Sequence, residues 1–209
     1  MTYTQLSPKH LIALIIFGLV VIGASIEPLE YGAYALHQLG TVIMLAILFV
    51  FQKKFGLNFL AFCSYLMFLT VHVIAAHYLY SYVPYSIWTQ SLLNIDLNQY
   101  FGWQRNMFDR LVHFCYGLFL YPFFARLFQC WLPQVGTKSH FLLVLQFVMA
   151  SSVFYEWIEW WLAVALSPEE AEKYNGQQGD LWDAHQDMLF ATLGTLLAGL
   201  LTWISTRRS

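Results

Sequence analysis

The sequence predicts an all-α fold: a polytopic helical membrane protein, six transmembrane helices in one bundle, with both termini cytoplasmic. Three observations predict it. Hydrophobic residues fill 59% of the 209 positions and charged residues only 11%, against roughly 25% charged in an average soluble domain. A soluble chain of this size has too little polar surface to cover that much apolar material. Apolar stretches recur six times, near 10–26, 32–51, 57–79, 110–131, 140–165 and 183–204, each close to the ~20 residues that cross a hydrocarbon core. Lys and Arg, finally, segregate to alternate loops. Together these give a single integral membrane domain over residues 1–209.

The first stretch, "KHLIALIIFGLVVIGAS", has the charged start and small-residue end of a signal peptide. A retained anchor is the better reading, because the second span follows after only "EPLEYG" and cleavage would leave an odd number of helices. The second and third spans are bounded by Lys53 and Lys54. The fourth holds Pro122, a kink that neighbouring helices tolerate. The fifth ends in the aromatic run "EWIEWW", and "SPEE" after it reads as a helix cap with Pro168 at the first helical position. The sixth opens with Asp183 and Asp187 and continues into small residues.

Six alternating spans place Lys9, Lys53, Lys54, Arg126, Lys138, Arg207 and Arg208 on one side and only Arg105, Arg110 and Lys173 on the other. The richer side is cytoplasmic. All twelve acidic residues fall in the opposite loops or the outer halves of spans. The net charge of −2 gives no reason to expect nucleic acid. Cys63, Cys115 and Cys130 lack any CxxC spacing and read as small buried hydrophobes.

Counting inward at ~1.5 Å per residue brings His37, His72, His77, His113, Glu156, Glu159, Asp183 and Asp187 to one outer level of the bilayer. At about 100° per residue, Asp180, Asp183 and Asp187 share a sector that continues as Ala191, Gly194 and Ala198. Small residues admit close backbone approach, so this stripe faces protein and His185 points away. Glu156 and Glu159 share a face at i, i+3, and Asp109 and His113 do so at i, i+4. His72 and His77 lie about 140° apart on a regular helix and do not share one ion; His72 is the deeper.

Imidazoles with carboxylates suit Zn²⁺, Mn²⁺ or Fe²⁺, and carboxylates with few imidazoles suit Mg²⁺ or Ca²⁺. Plainer roles stand beside these: His37 as an interhelical hydrogen bonder, Asp180 as a helix cap, and Asp109 with Arg110 as an ion pair. Four carboxylates at depth, Glu156, Glu159, Asp183 and Asp187, exceed what three basic residues on that side neutralise.

The segments "HVIAAHYLYSYVP" at 72–84, "RNMFDRLVHF" at 105–114, "EWIEWW" at 156–161 and "QGDLWDAHQDM" at 178–188 resemble the YjdF-type family of bacterial inner-membrane proteins. The resemblance spans nearly the whole chain. It implies a multi-span protein of the bacterial inner membrane and brings no reaction with it. It departs at Met107 and Phe108, where it implies His and Tyr.

The expected function is a membrane-embedded, metal-dependent hydrolase or transferase opening to the periplasm, acting on a lipid or lipid-linked envelope substrate. His72, Glu156, Glu159, Asp183 and Asp187 are the expected ligands of a Zn, Mn or Mg ion. His113 oriented by Asp109 is the expected acid or base, with Arg110 and Arg105 receiving an anionic group of the substrate. His77 and Asp180 stand at the edge of the site. The alternatives are a proton- or metal-ion transporter, and a non-catalytic protein whose ionic network holds the bundle together. No nucleotide loop, haem site or redox motif is present.

Overall fold

The computed structural model describes residues 5–208; residues 1–4 and 209, part of the domain expected from the sequence, lie outside it. Among the described residues the chain is all helix: α1 (Pro8–Ala24), α2 (Tyr31–Phe55), α3 (Phe59–His77), α4 (Tyr85–Leu93), α5 (Leu97–Phe101), α6 (Phe108–Trp131), α7 (Thr137–Ala165), α8 (Pro168–Asn175) and α9 (Asp183–Arg208). Five of these are long and apolar enough to cross a membrane: α2, α3, α6, α7 and α9. The first expected span, α1, is apolar but has only 17 residues. At ~1.5 Å per residue it reaches roughly 25 Å, short of the ~30 Å hydrocarbon core.

Local chemistry sets the helix boundaries. Ser167 and Glu170 close the capping box that "SPEE" predicts, with Pro168 opening α8. Asn58 caps α3 through Ala61, and Glu30 caps α2 through Ala33. The Ala33 and Gly32 amides hold the Glu30 carboxyl below its usual range. Pro122 lies inside α6, which continues through it to Trp131.

The centre of the bundle is α6, packed on α3, α7 and α9; its pairing with α9 is the most extensive. Glycine makes that pairing possible. A Cβ on Gly117 would lie 1.9 Å from the Ala191 carbonyl oxygen, and one on Gly194 would lie 2.1 Å from that of Phe114. The two backbones touch here. Ala191 is fully buried, as are Asp183, Asp187 and Ala198 nearly so, while His185 faces outward. The small-residue stripe therefore faces protein and carries the aspartates in with it.

The ends of the bundle differ in charge. Lys9 sits over the Phe59 ring, and Arg126 donates to the carbonyls of Phe55 and Gly56 at the end of α2. The starts of α6 and α9 and the ends of α3 and α7 lie at the other end with the acidic groups.

Gly117→Ala should lower stability in detergent by the ~1–3 kcal/mol typical of overpacking, or more. Gly18→Ala, where a Cβ meets nothing within 4 Å, should leave it unchanged or slightly raised. Equal melting temperatures for the two variants would contradict the backbone contact.

Candidate functional site

Two guanidinium groups organise the acidic end. Arg110, on the first turn of α6, is only 2% exposed. Its Nη1 donates to Asp187 at 2.5 Å, and its Nη2 donates to Asp183 at 2.7 Å and Asp180 at 3.1 Å. Arg105 donates from Nη1 to the same Asp183 and Asp180 oxygens, at 2.7 and 3.1 Å, and from Nη2 to the Gly176 carbonyl at 3.3 Å. Three aspartates one helical turn apart thus meet two arginines from the partner helix and its lead-in. The Trp182 amide, with both arginines, holds the Asp180 carboxyl below its usual range. In this structure both guanidiniums meet the protein's own carboxylates, where the sequence led us to expect an anionic group of the substrate.

The loop 176–180 is locked in place beside them. Gln178 accepts from the Asn106 amide at 2.9 Å and donates to the Asn106 carbonyl at 3.1 Å. Positive φ angles at Gly176, Gln178 and Gly179 give the chain the curl this requires. Asn106 also donates to the Val83 carbonyl, tying the segment after α3 to the same point.

Behind this clamp lies a second group. Asp109, His113 and Asp187 are all buried, and one ligand atom from each lies within 4.8 Å of the others. His113 Nε2 is 3.6 Å from Asp109 Oδ1 and 3.9 Å from Asp187 Oδ1. Both distances are too long for hydrogen bonds. Two ligands at ~2.0–2.2 Å from one ion are at most about 4.3 Å apart, so both pairs fit a shared divalent ion. Glu159 is buried, and the Oε1 of half-buried Glu156 has no hydrogen-bond partner among the described residues. Both glutamates lie within electrostatic reach of Asp183 and Asp187.

The histidines divide among different tasks. His72 accepts from the Tyr80 hydroxyl at Nδ1, and its Nε2 donates to the His37 carbonyl at 3.3 Å. Both its ring nitrogens are engaged by protein, which leaves neither free for an ion in this arrangement. His77 donates from Nδ1 to the Ala24 carbonyl at 2.8 Å, so it fastens the end of α3 to the end of α1. His37 stacks on Tyr174, with centroids 4.4 Å apart, and its Nε2 is buried without a partner among the described residues.

Residues 9–208 match the family described as "Predicted membrane protein (DUF2238)". The chain belongs to this family. It is also 26% identical over 178 residues to the inner membrane protein YjdF of Escherichia coli (strain K12), covering 85% of this chain and 81% of that protein. No solved structure matches. Family membership makes this a membrane protein, in agreement with five membrane-length helices and a buried polar cluster between them.

Sequence reasoning passed over Tyr80, Tyr155 and Tyr174, whose rings surround the histidines. The signal for Tyr80 was in "HYLYSYVP": Leu79 and Tyr80 both adopt positive φ, and the sharp turn returns the Tyr80 ring to His72. Burial, together with the neighbouring Asp109, pushes the Tyr80 phenol well above its usual range, so it stays a neutral donor. Tyr174 sits on a short polar helix that reads as solvated surface; nothing in the local sequence marks it.

Removing Arg110 should strand buried carboxylates. Arg110→Leu is expected to cost about 3–5 kcal/mol of stability, and the double variant Arg110→Leu/Asp187→Leu markedly less. Thermal unfolding in detergent of these two and of the Asp187→Leu single measures the coupling. A double variant as unstable as the sum of its singles would show that the pair is not coupled.

Proposed function

We propose that Asp109, His113 and Asp187 hold one divalent metal ion, and that the protein is a membrane-embedded hydrolase or transferase acting on a lipid or lipid-linked substrate. One observation carries this reading. Six carboxylates (Asp109, Glu156, Glu159, Asp180, Asp183 and Asp187) gather at one level with two guanidiniums, and three groups among them have the spacing of a shared ion. The arginines neutralise two charges. Uncompensated carboxylates in low dielectric need protons or a cation, and a divalent ion removes two charges at once.

This reading redistributes the roles expected from the sequence. Asp109 and His113 move from general catalysis to the ion, Asp187 serves both the ion and the Arg110 clamp, and Asp183 and Asp180 serve the clamp alone. When bound, the ion would polarise a substrate oxygen or lower the pKa of a water. Glu156, with its unpartnered Oε1, is the general base, and Glu159 supports it. Zn²⁺, Mn²⁺ and Mg²⁺ remain the candidate ions for a mixed imidazole–carboxylate set.

We place six spans in the bacterial inner membrane as one domain, with both termini cytoplasmic and the site toward the periplasm. Supporting this, α1 buries His10 and Phe17 against the bundle while Ile12, Ile15, Ile16 and Leu19 face outward. Lys9 and Arg126 gather at the end opposite the acids, and the Escherichia coli relative is named for that membrane.

The test is metal content. Protein purified without chelators and incubated with zinc, manganese or magnesium should retain one ion per chain by mass spectrometry. Asp109→Asn/His113→Gln of unchanged helicity should retain none, and Glu170→Gln should match the unaltered protein. Equal metal in all three would remove the proposed centre. Ion flux into proteoliposomes would instead favour transport over an outward-only site.

A further inference from the structure

Beside the ionic cluster is a cavity of about 230 Å³, larger than the roughly 150 Å³ hole that admits a benzene molecule. Its back wall is α3 and α6, its sides are α2 and α7, and Tyr174 of α8 covers one end. Gly40 and Phe154, both exposed, stand at its mouth between α2 and α7. The outer faces of these two helices are apolar, with Leu39, Val42, Ile43 and Phe147 exposed. The mouth therefore opens sideways, into hydrocarbon.

Inside, the lining is apolar except for a few convergent groups. Two of its lining residues, His37 and Ser152, each carry a buried polar atom, His37 Nε2 and Ser152 Oγ, with no hydrogen-bond partner among the described residues. The two residues are only 3% and 2% exposed. Buried polar atoms of this kind cost about 1–3 kcal/mol each when left unsatisfied, so a partner from outside the chain belongs there. None of the described lining residues is Lys, Arg, Asp or Glu. Arg105 and Arg110 are committed to aspartates, and the carboxylates behind His113 would repel an anion.

We propose that this cavity binds the polar end of an uncharged amphipathic lipid, a hydroxyl or carbonyl on a hydrocarbon chain, entering from the bilayer between α2 and α7. The ligand's oxygen is met by His37 and Ser152, whose unpartnered Nε2 and Oγ turn toward it on binding, and its chain trails past Gly40 into the membrane. His113 lines both this cavity and the ionic cluster, so the bound group lies next to the proposed metal. The proposal rests on the reading above only for what happens to the ligand once bound.

The probe is hexadecanol carrying a diazirine on its chain, photolysed with the protein in nanodiscs and mapped by peptide mass spectrometry. Labels should concentrate in 36–44 of α2 and 151–158 of α7, and unlabelled hexadecanol should compete while hexadecyl phosphate does not. Gly40→Trp should cut labelling roughly tenfold, the effect of about 1.4 kcal/mol of lost binding. A Cβ at Gly40 meets nothing within 4 Å, so this variant should keep its fold. Ser152→Ala should weaken alcohol labelling and spare labelling by a diazirine alkane. Labels spread evenly round the hydrophobic belt, indifference to Gly40→Trp, or equal competition by the phosphate would each overturn the proposal. Metal content measured on the same samples separates the two ideas: labelling that persists without any bound ion sinks only the metal centre.

Discussion

The contact of Arg110 with Asp183 and Asp187 is the constraint on which the rest of the polar layer depends. It joins the first turns of α6 and α9, the two helices whose backbones touch at Gly117 and Gly194. A guanidinium presents donors in a fixed fork, so one residue can hold oxygens from successive turns of the facing helix. The burial of α9's acidic stripe follows from that fork and from the glycines below it. Without the arginine, aspartates at this depth would face the desolvation penalty alone.

The clamp also defines what is left over. Asp109, His113, Glu156 and Glu159 come from two helices that flank α9, and none of them is held by a hydrogen bond from an arginine. The Asp109–Arg110 pair is a loose 3.8 Å. Carboxyl groups that no arginine pairs closely are therefore gathered near His113, and each needs a proton or a cation there.

Much of this was legible in the sequence, because helical periodicity and span length are local properties. The stripe from Asp180 to Ala198 and the capping box at Ser167 both follow from spacing within one helix. Partner choice across helices is not local. Spacing could not say that Arg105 and Arg110 would be taken up by Asp180, Asp183 and Asp187, so a substrate role for them looked open. Nor could it say that Tyr80 would turn back onto His72, since that depends on two residues in the left-handed region after α3. The first span was expected near 10–26 and forms as Pro8–Ala24, the same 17 residues in length but starting two residues earlier, because Pro8 behind Ser7 opens the helix and Ser25 closes it.

The most direct measurement is anomalous scattering from crystals of the protein grown with zinc or manganese and recorded at the metal's absorption edge. The account predicts one strong peak within about 2.0–2.2 Å of His113 Nε2, flanked by the carboxylates of Asp109 and Asp187. A metal-saturated crystal with no peak there, and Asp109 and His113 instead drawn into a direct hydrogen bond, would contradict it.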